Sequence, residues 1–170
     1  AIPDHPPPIA ALPSAIPGSR IIAVDTEPDD DYPPGWEFCP AIIGRPSTGR
    51  TFYHANAPIC SSLYPLNWEC VNQYNDLSPL AVLRTEYVDV IALDEFTEDK
   101  RPIHIIAADI QGAELEAFQS GPLTLADTLM IQTEAQIAPI YRGAPMWRDL
   151  DAALDELGFT LYRPLGYKAM

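Results

Sequence analysis

Ile103-His104-Ile105-Ile106-Ala107-Ala108-Asp109-Ile110-Gln111-Gly112-Ala113-Glu114-Leu115-Glu116-Ala117-Phe118-Gln119-Ser120-Gly121 is the stretch that decides the architecture. Ile103–Ile110 is nearly continuous in apolar residues. A strand exposed on one face would alternate, so this run reads as a strand covered on both faces, as in a parallel sheet. The period then changes. Over Gly112–Ser120, Leu115 and Phe118 fall on one face of a helix, and Gly121 is placed to stop it. Leu129–Glu134 repeats the strand pattern. Pro145 opens a second helix in which Trp147, Leu150, Leu154 and Leu157 recur at helical spacing, and Gly158 ends it. Phe159–Tyr162 starts one more strand. Strand, helix, strand, helix, strand implies right-handed crossovers and a mainly parallel sheet, an α/β protein.

Upstream, Ile21-Ile22-Ala23-Val24 is another unbroken apolar run, followed at once by Asp25, Thr26, Glu27, Pro28 and three aspartates. Ala41-Ile42-Ile43 reads as a short strand ended by Gly44, and Val88–Leu93 as a strand closed by Asp94. Residues 51–80 carry no clear period and read as a long loop. Ile21–Val24, Ile103–Ala108 and Leu129–Thr133 are the expected interior strands, flanked by helices at 112–120 and 145–157.

The chain has 170 residues, one domain's worth, and 47% of them are hydrophobic, enough for one core. Ten Lys and Arg stand against 24 Asp and Glu, a formal net charge of −14. Such a surface cannot neutralise phosphates, so neither nucleic acid nor an anionic membrane surface is an expected partner. No apolar run reaches the ~20 residues of a spanning helix. Cys39, Cys60 and Cys70 are odd in number and lack C-x-x-C spacing. No metal site and no disulfide is expected, and free thiols fit a reducing, cytoplasmic compartment. The 19 prolines cluster near the start and at segment ends, which reads as punctuation between elements.

Ligands of an open parallel sheet sit beyond the carboxyl ends of its strands. Three strands here end in acids: Glu27, Asp109 and Glu134. An acid after the second strand of a Rossmann half suits a ribose, because one carboxylate accepts from both hydroxyls. Taken alone, Asp25–Asp31 reads more simply as a solvated acidic loop, and it lacks the glycine turn and closing glutamate of a calcium loop. There is no G-x-S-x-G, no G-x-x-x-x-G-K-[ST] and no G-x-G-x-x-G. The three His are scattered; His104, in an apolar strand, reads as a satisfied core residue, and Trp147 with its leucine stripe reads as core.

The segment Asp109-Ile110-Gln111-Gly112-Ala113-Glu114 resembles the D-[VI]-[EQ]-G-A-E signature of FkbM-type S-adenosylmethionine-dependent methyltransferases. Other pieces resemble that family in the same order. Glu27-Pro28-Asp29 is similar to its E-P-D, and Ser61-Ser62-Leu63 to the S-S-L of its middle loop. Leu93-Asp94 resembles its T-L-D, with Ala92 in place of Thr. Thr133-Glu134, Pro139-Ile140-Tyr141 and the Trp147–Phe159 segment resemble its closing E…P-L-Y…L…G-F pattern. Together they span about residues 20–165.

The resemblance implies a Rossmann-like domain and assigns roles. Glu27, Asp29 and Asp109 would bind the cofactor, S-adenosylmethionine. Asp109 and Glu134 would face the methyl-transfer cleft, and Ser61, Ser62 and Tyr141 would line the acceptor side. The acceptor would be a hydroxyl of a small molecule or sugar. Two departures stand out. The family's opening strand and D-V-G-A-like glycine loop have no counterpart here, and residues 5–17 resemble the helix that follows that loop. These 170 residues are therefore expected to form an incomplete single domain that binds S-adenosylmethionine poorly by itself, the missing strand contacts being supplied by an upstream segment, by a partner chain, or by direct pairing of Ile21–Val24 with Ile103–Ala108. Ala107 also stands where the family usually has Lys. Both departures keep open an alternative, a catalytically inactive domain retained as a structural or interaction subunit of a larger assembly.

Overall fold

The computed structural model describes residues 17–26, 33–73 and 80–164. The chain divides into two compact units, Ala1–Ile42 and Ile43–Met170. In the first, β1 (Ile22–Asp25) and β2 (Glu37–Pro40) pair in parallel, Ile22 opposite Glu37 and Val24 opposite Cys39. The apolar run thus forms its strand, with Ala23 buried. An ion pair from Arg20 to Glu37 at 2.8 Å ties the entry of β1 to β2; it is exposed and contributes little.

The second unit begins with β3 (Ser47–Ala55), which pairs antiparallel with β4 (Val82–Val90) over nine residues each. This corrects the reading of residues 51–80 as loop throughout. The strand expected at 88–93 in turn begins earlier, at Val82, and ends at Val90, and Leu93 already opens a helix. Thr51, Phe52, Tyr53, Val82, Thr85, Tyr87 and Val88 supply the β-branched and aromatic residues that suit a pleated surface. Between the two strands lie a 3-10 turn (Pro58–Cys60) and the short helix α1 (Trp68–Val71). Ile43 meets Ile91 in an isolated parallel bridge rather than a strand of its own.

After α2 (Leu93–Phe96), β5 (Ile105–Ala108) leads to α3 (Glu114–Gln119) and α4 (Pro122–Leu125); β6 (Met130–Thr133) then leads to α5 (Trp147–Glu156). β5 and β6 are parallel, Ile105 opposite Met130 and Ala108 opposite Thr133. The expected β–α–β–α succession is present, and the architecture is mixed α/β, with strands in two-stranded parallel and antiparallel ladders among the described residues.

Phe118, Leu125 and Leu150 form one core, where α3, α4 and α5 meet, with Ile106, Ile131 and Leu154 packed against them. Phe118 is 2% exposed, and its burial contributes roughly 2–3 kcal/mol. Gly158, at φ +89°, lets the chain leave α5. The Phe159 and Gly158 amides donate back to the Leu154 and Asp155 carbonyls, closing a Schellman motif. Phe159 joins this core, but residues 159–162 form no strand, and Leu161 and Tyr162 are exposed. Two other expectations are corrected. His104 is exposed; its backbone carbonyl accepts the Leu129 and Met130 amides. Trp147, first residue of α5, is 41% exposed; Leu150 takes the buried place instead. A second core joins Leu66, Val71, Leu80, Ile140 and Tyr141.

Candidate functional site

The parallel pairing of β5 with β6 places Asp109 and Glu134 side by side. Ala108 and Thr133 are paired, and the Glu134 amide donates to the Ala108 carbonyl at 3.0 Å, so the residue after each strand leaves the same edge. That edge is the carboxyl end, where α/β proteins place ligands.

The turn from β5 into α3 is unusual in its backbone. Gln111 has φ +52°, and Gly112 follows at φ +101°. A non-glycine residue in the left-handed region costs on the order of 1 kcal/mol or more. A Cβ at position 112 would stand 2.8 Å from the Ala144 Cβ and 2.8 Å from Gln136 Nε2, so only glycine fits. Glu114 holds the turn from inside. Its two carboxylate oxygens accept the Ile110 and Gly112 amides, each at 3.0 Å. Burial raises its pKa above the ordinary carboxylate value despite those bonds.

Glu116 faces another direction. Arg50 of β3 grips both its oxygens, Tyr64 donates its hydroxyl, and the Arg45 amide adds a bond of 3.2 Å. The Arg50 guanidinium also lies 5.1 Å from the Tyr64 ring centre. Two acids of the segment Asp109–Glu116 are therefore structural, and Asp109 alone is exposed.

Gln111 gathers the remaining candidates. Its Nε2 donates to Asp109 and, at 3.0 Å, to Glu134. Its Oε1 lies 2.9 Å from the Tyr141 hydroxyl, and its backbone carbonyl accepts the Ser62 hydroxyl at 2.6 Å. Tyr141 is 5% exposed, and burial raises its pKa, so the phenol stays protonated and acts as a donor. Its hydroxyl also lies 2.9 Å from the Cys60 carbonyl, and one proton serves one of these acceptors at a time. Backbone bridges seat both segments: Ser62 pairs with Tyr53, and Leu66 with Tyr141.

Of the expected site residues, Asp109, Glu134, Ser62 and Tyr141 come together. Ser61 does not, because its hydroxyl accepts the Ala55 amide at 3.1 Å. Glu27 and Asp29 lie outside the described residues. Ala107, opposite Gln132 on β5, is exposed. Sequence reasoning missed Gln111 and Gln136. Gln136 Oε1 accepts the Tyr141 amide at 3.1 Å, while its buried Nε2 has no partner among the described residues. Neither residue type signals such a role; only the [EQ] position of the signature pointed at Gln111.

A groove of about 350 Å³ lies along Tyr53, Leu66, Trp68, Val82 and Arg142, and none of the clustered candidates lines it. Cys39, Cys60 and Cys70 are free thiols. Among the described residues no three His, Cys, Asp or Glu are grouped to hold a metal, and no helix is long and apolar enough to cross a membrane.

The family model for the methyltransferase FkbM domain matches residues 18–161. The chain belongs to this family. Comparisons with curated proteins and with solved structures returned no match. In this FkbM domain the Asp109–Glu116 segment is the β5–α3 turn, one acid at the strand edge and two inside. The Leu93-Asp94 pair is likewise structural: the Asp94 carboxylate accepts the Leu123 and Thr124 amides and the Thr124 hydroxyl at the start of α4.

Proposed function

We propose that this FkbM domain transfers the methyl group of S-adenosylmethionine to a hydroxyl of a small molecule or sugar. The observation that carries the reading is the adjacency of Asp109 and Glu134 at the carboxyl ends of paired parallel strands, with Tyr141 and Ser62 joined to them through Gln111. The Rossmann-like reading of the fold agrees with this placement.

The donor and acceptor set fits the cofactor. Carboxylates at strand ends accept from ribose hydroxyls and favour a neighbouring cation. The Nε2 of Gln136, beside Gly112 and without a partner among the described residues, is a buried donor facing the same turn. Family resemblance adds Glu27 for the ribose, with Asp29 beside it in sequence. When bound, S-adenosylmethionine supplies an electrophilic methyl group on a positively charged sulfur. The protein must hold the acceptor in line and take one proton from its hydroxyl as the new O–C bond forms and the sulfur–methyl bond breaks, the departing group being the neutral thioether S-adenosylhomocysteine. Asp109 and Glu134 are the groups to take that proton. Tyr141, kept protonated by burial, donates a hydrogen bond, and Ser61 and Ser62 shape the acceptor-side loop.

A second reading draws on Ala107, an exposed methyl group where the family usually carries lysine. It makes the domain a catalytically inactive structural or interaction subunit, assembled with a partner chain. Calorimetric titration of the full-length protein with S-adenosylmethionine, followed by transfer of labelled methyl to a panel of sugars and hydroxylated small molecules, separates the two. Binding, with transfer that falls about 10²-fold or more in Asp109→Asn and Glu134→Gln, supports the enzyme. Absent binding, or binding with no transfer to any acceptor, favours the structural reading.

A further inference from the structure

We propose that Gln111 is the positioning residue of this site, a neutral clasp that holds Asp109 and Glu134 together and locks the Ser62 and Tyr141 segments onto the same turn. Four contacts converge on one residue. The side-chain amide donates to both carboxylates, its oxygen meets the Tyr141 hydroxyl at 2.9 Å, and its carbonyl accepts Ser62 at 2.6 Å. These partners come from three separate stretches of chain, so the arrangement exists only in the folded domain.

The residue type matters at this point. Two carboxylates on adjacent strands repel, and a third at position 111 would add to that repulsion. Glutamine is nearly isosteric with glutamate but presents an NH2 group to both acids and an acceptor to the phenol. Its backbone supplies an independent indication. At φ +52° it occupies the left-handed region, which glycine or asparagine takes more readily, so the fold retains this side chain against a conformational cost. The other titratable groups around the clasp are Tyr141, Cys60 and Glu114. The catalytic consequence rests on the methyl-transfer reading; the arrangement of the carboxylate pair does not.

The test uses the full-length protein with 13C-labelled side-chain carboxyls and three forms: wild type, Gln111→Gly and Gln111→Glu. Glycine adopts the left-handed backbone without the amide and so separates the clasp from backbone strain. Removing two donated hydrogen bonds changes the surroundings of both carboxylates, so the 13C carboxyl resonances of Asp109 and Glu134 at pH 7 are expected to move in Gln111→Gly, while carboxyls outside the site stay in place. In Gln111→Glu a third acid faces the pair, and the urea midpoint at pH 7 is expected to fall further than in Gln111→Gly. Methyl transfer, where wild type shows it, falls at least tenfold in Gln111→Gly, with the loss in kcat rather than KM. Carboxyl resonances at their wild-type positions in Gln111→Gly overturn the proposal, as does transfer equal to wild type in that variant. If Gln111→Glu does not fold, Gln111→Gly decides alone. Variants that respond as expected beside a wild type that methylates nothing retire the methyl-transfer reading and leave the assignment of Gln111 standing.

Discussion

Glu114 and Glu116 sit two residues apart at the start of one helix and ionise in opposite senses. For Glu114, burial outweighs the two backbone amides it accepts, and its pKa rises above the ordinary 4.5. Burial pushes Glu116 upward too, but hydrogen bonds from Arg50, Tyr64 and the Arg45 amide outweigh it, and its pKa falls below 4.5. The consequences for stability have opposite signs. What Glu116 contributes is fully present above its unfolded value and is lost as pH falls through the lowered folded one. What Glu114 contributes is present below about 4.5 and is lost as pH rises through the raised folded value. Arg50→Met removes the cation while leaving a carboxylate only 8% exposed. It is expected to cost about 2–4 kcal/mol at pH 7, with the gap to wild type narrowing as pH falls through the lowered value of Glu116. Urea unfolding at pH 7 and pH 3.5 measures both; an equal gap at the two pH values contradicts the ion-pair account.

Asp94 shows how a single acid starts an element. It accepts the Leu123 and Thr124 amides at 3.0 and 2.7 Å, two of the donors that open α4 without partners in the helix itself. Asp94→Ala is expected to cost about 1–2 kcal/mol and to raise hydrogen exchange at Leu123 and Thr124. Unchanged protection there refutes the capping role. The elements differ in how readily the sequence declares them. Ile21–Val24, Ile103–Ala108 and Leu129–Thr133 were legible as strands from their continuous apolar runs but not as interior ones: Ala107, Leu129 and Met130 are exposed, and each strand has one ladder partner among the described residues. α5 was legible from its leucine spacing and Gly158. β3 was not, because Arg50, polar at the strand's middle, takes its partner Glu116 from 66 residues away. β4 was read only at its C-terminal end, since residues 82–87 are all exposed and no buried face imposes a period. At the site, family spacing pointed to Asp109, Glu134, Ser62 and Tyr141, but the left-handed turn that brings Gln111 among them leaves no mark in residue type.

The chain as a whole carries a formal charge of −14, so its acids repel one another at neutral pH. Added salt screens exposed charges within about 10 Å at 0.1 M, whereas the buried Arg50–Glu116 pair is screened far less. Net stability is therefore expected to rise with ionic strength. The thermal midpoint at pH 7.5 should increase by a few degrees between 10 and 300 mM NaCl, and a decrease would mean that exposed attractive pairs outweigh the repulsion. The contacts of the site also carry information about time. Ser62 reaches Gln111 across 49 residues, Tyr141 reaches it across 30, and the Tyr141 hydroxyl reaches the Cys60 carbonyl across 81. Loops of that length close at an entropic cost before their contacts give anything back, so local helices and the β5–β6 pair are expected to organise first and the Ser62 and Tyr141 contacts last. Tyr141→Phe is then expected to speed unfolding severalfold while leaving the refolding rate nearly untouched, a φ-value near zero in stopped-flow kinetics. On that expectation Asp109 and Glu134 meet early, on the β5–β6 pair, and Tyr141 and Ser62 are latecomers to a turn that forms without them.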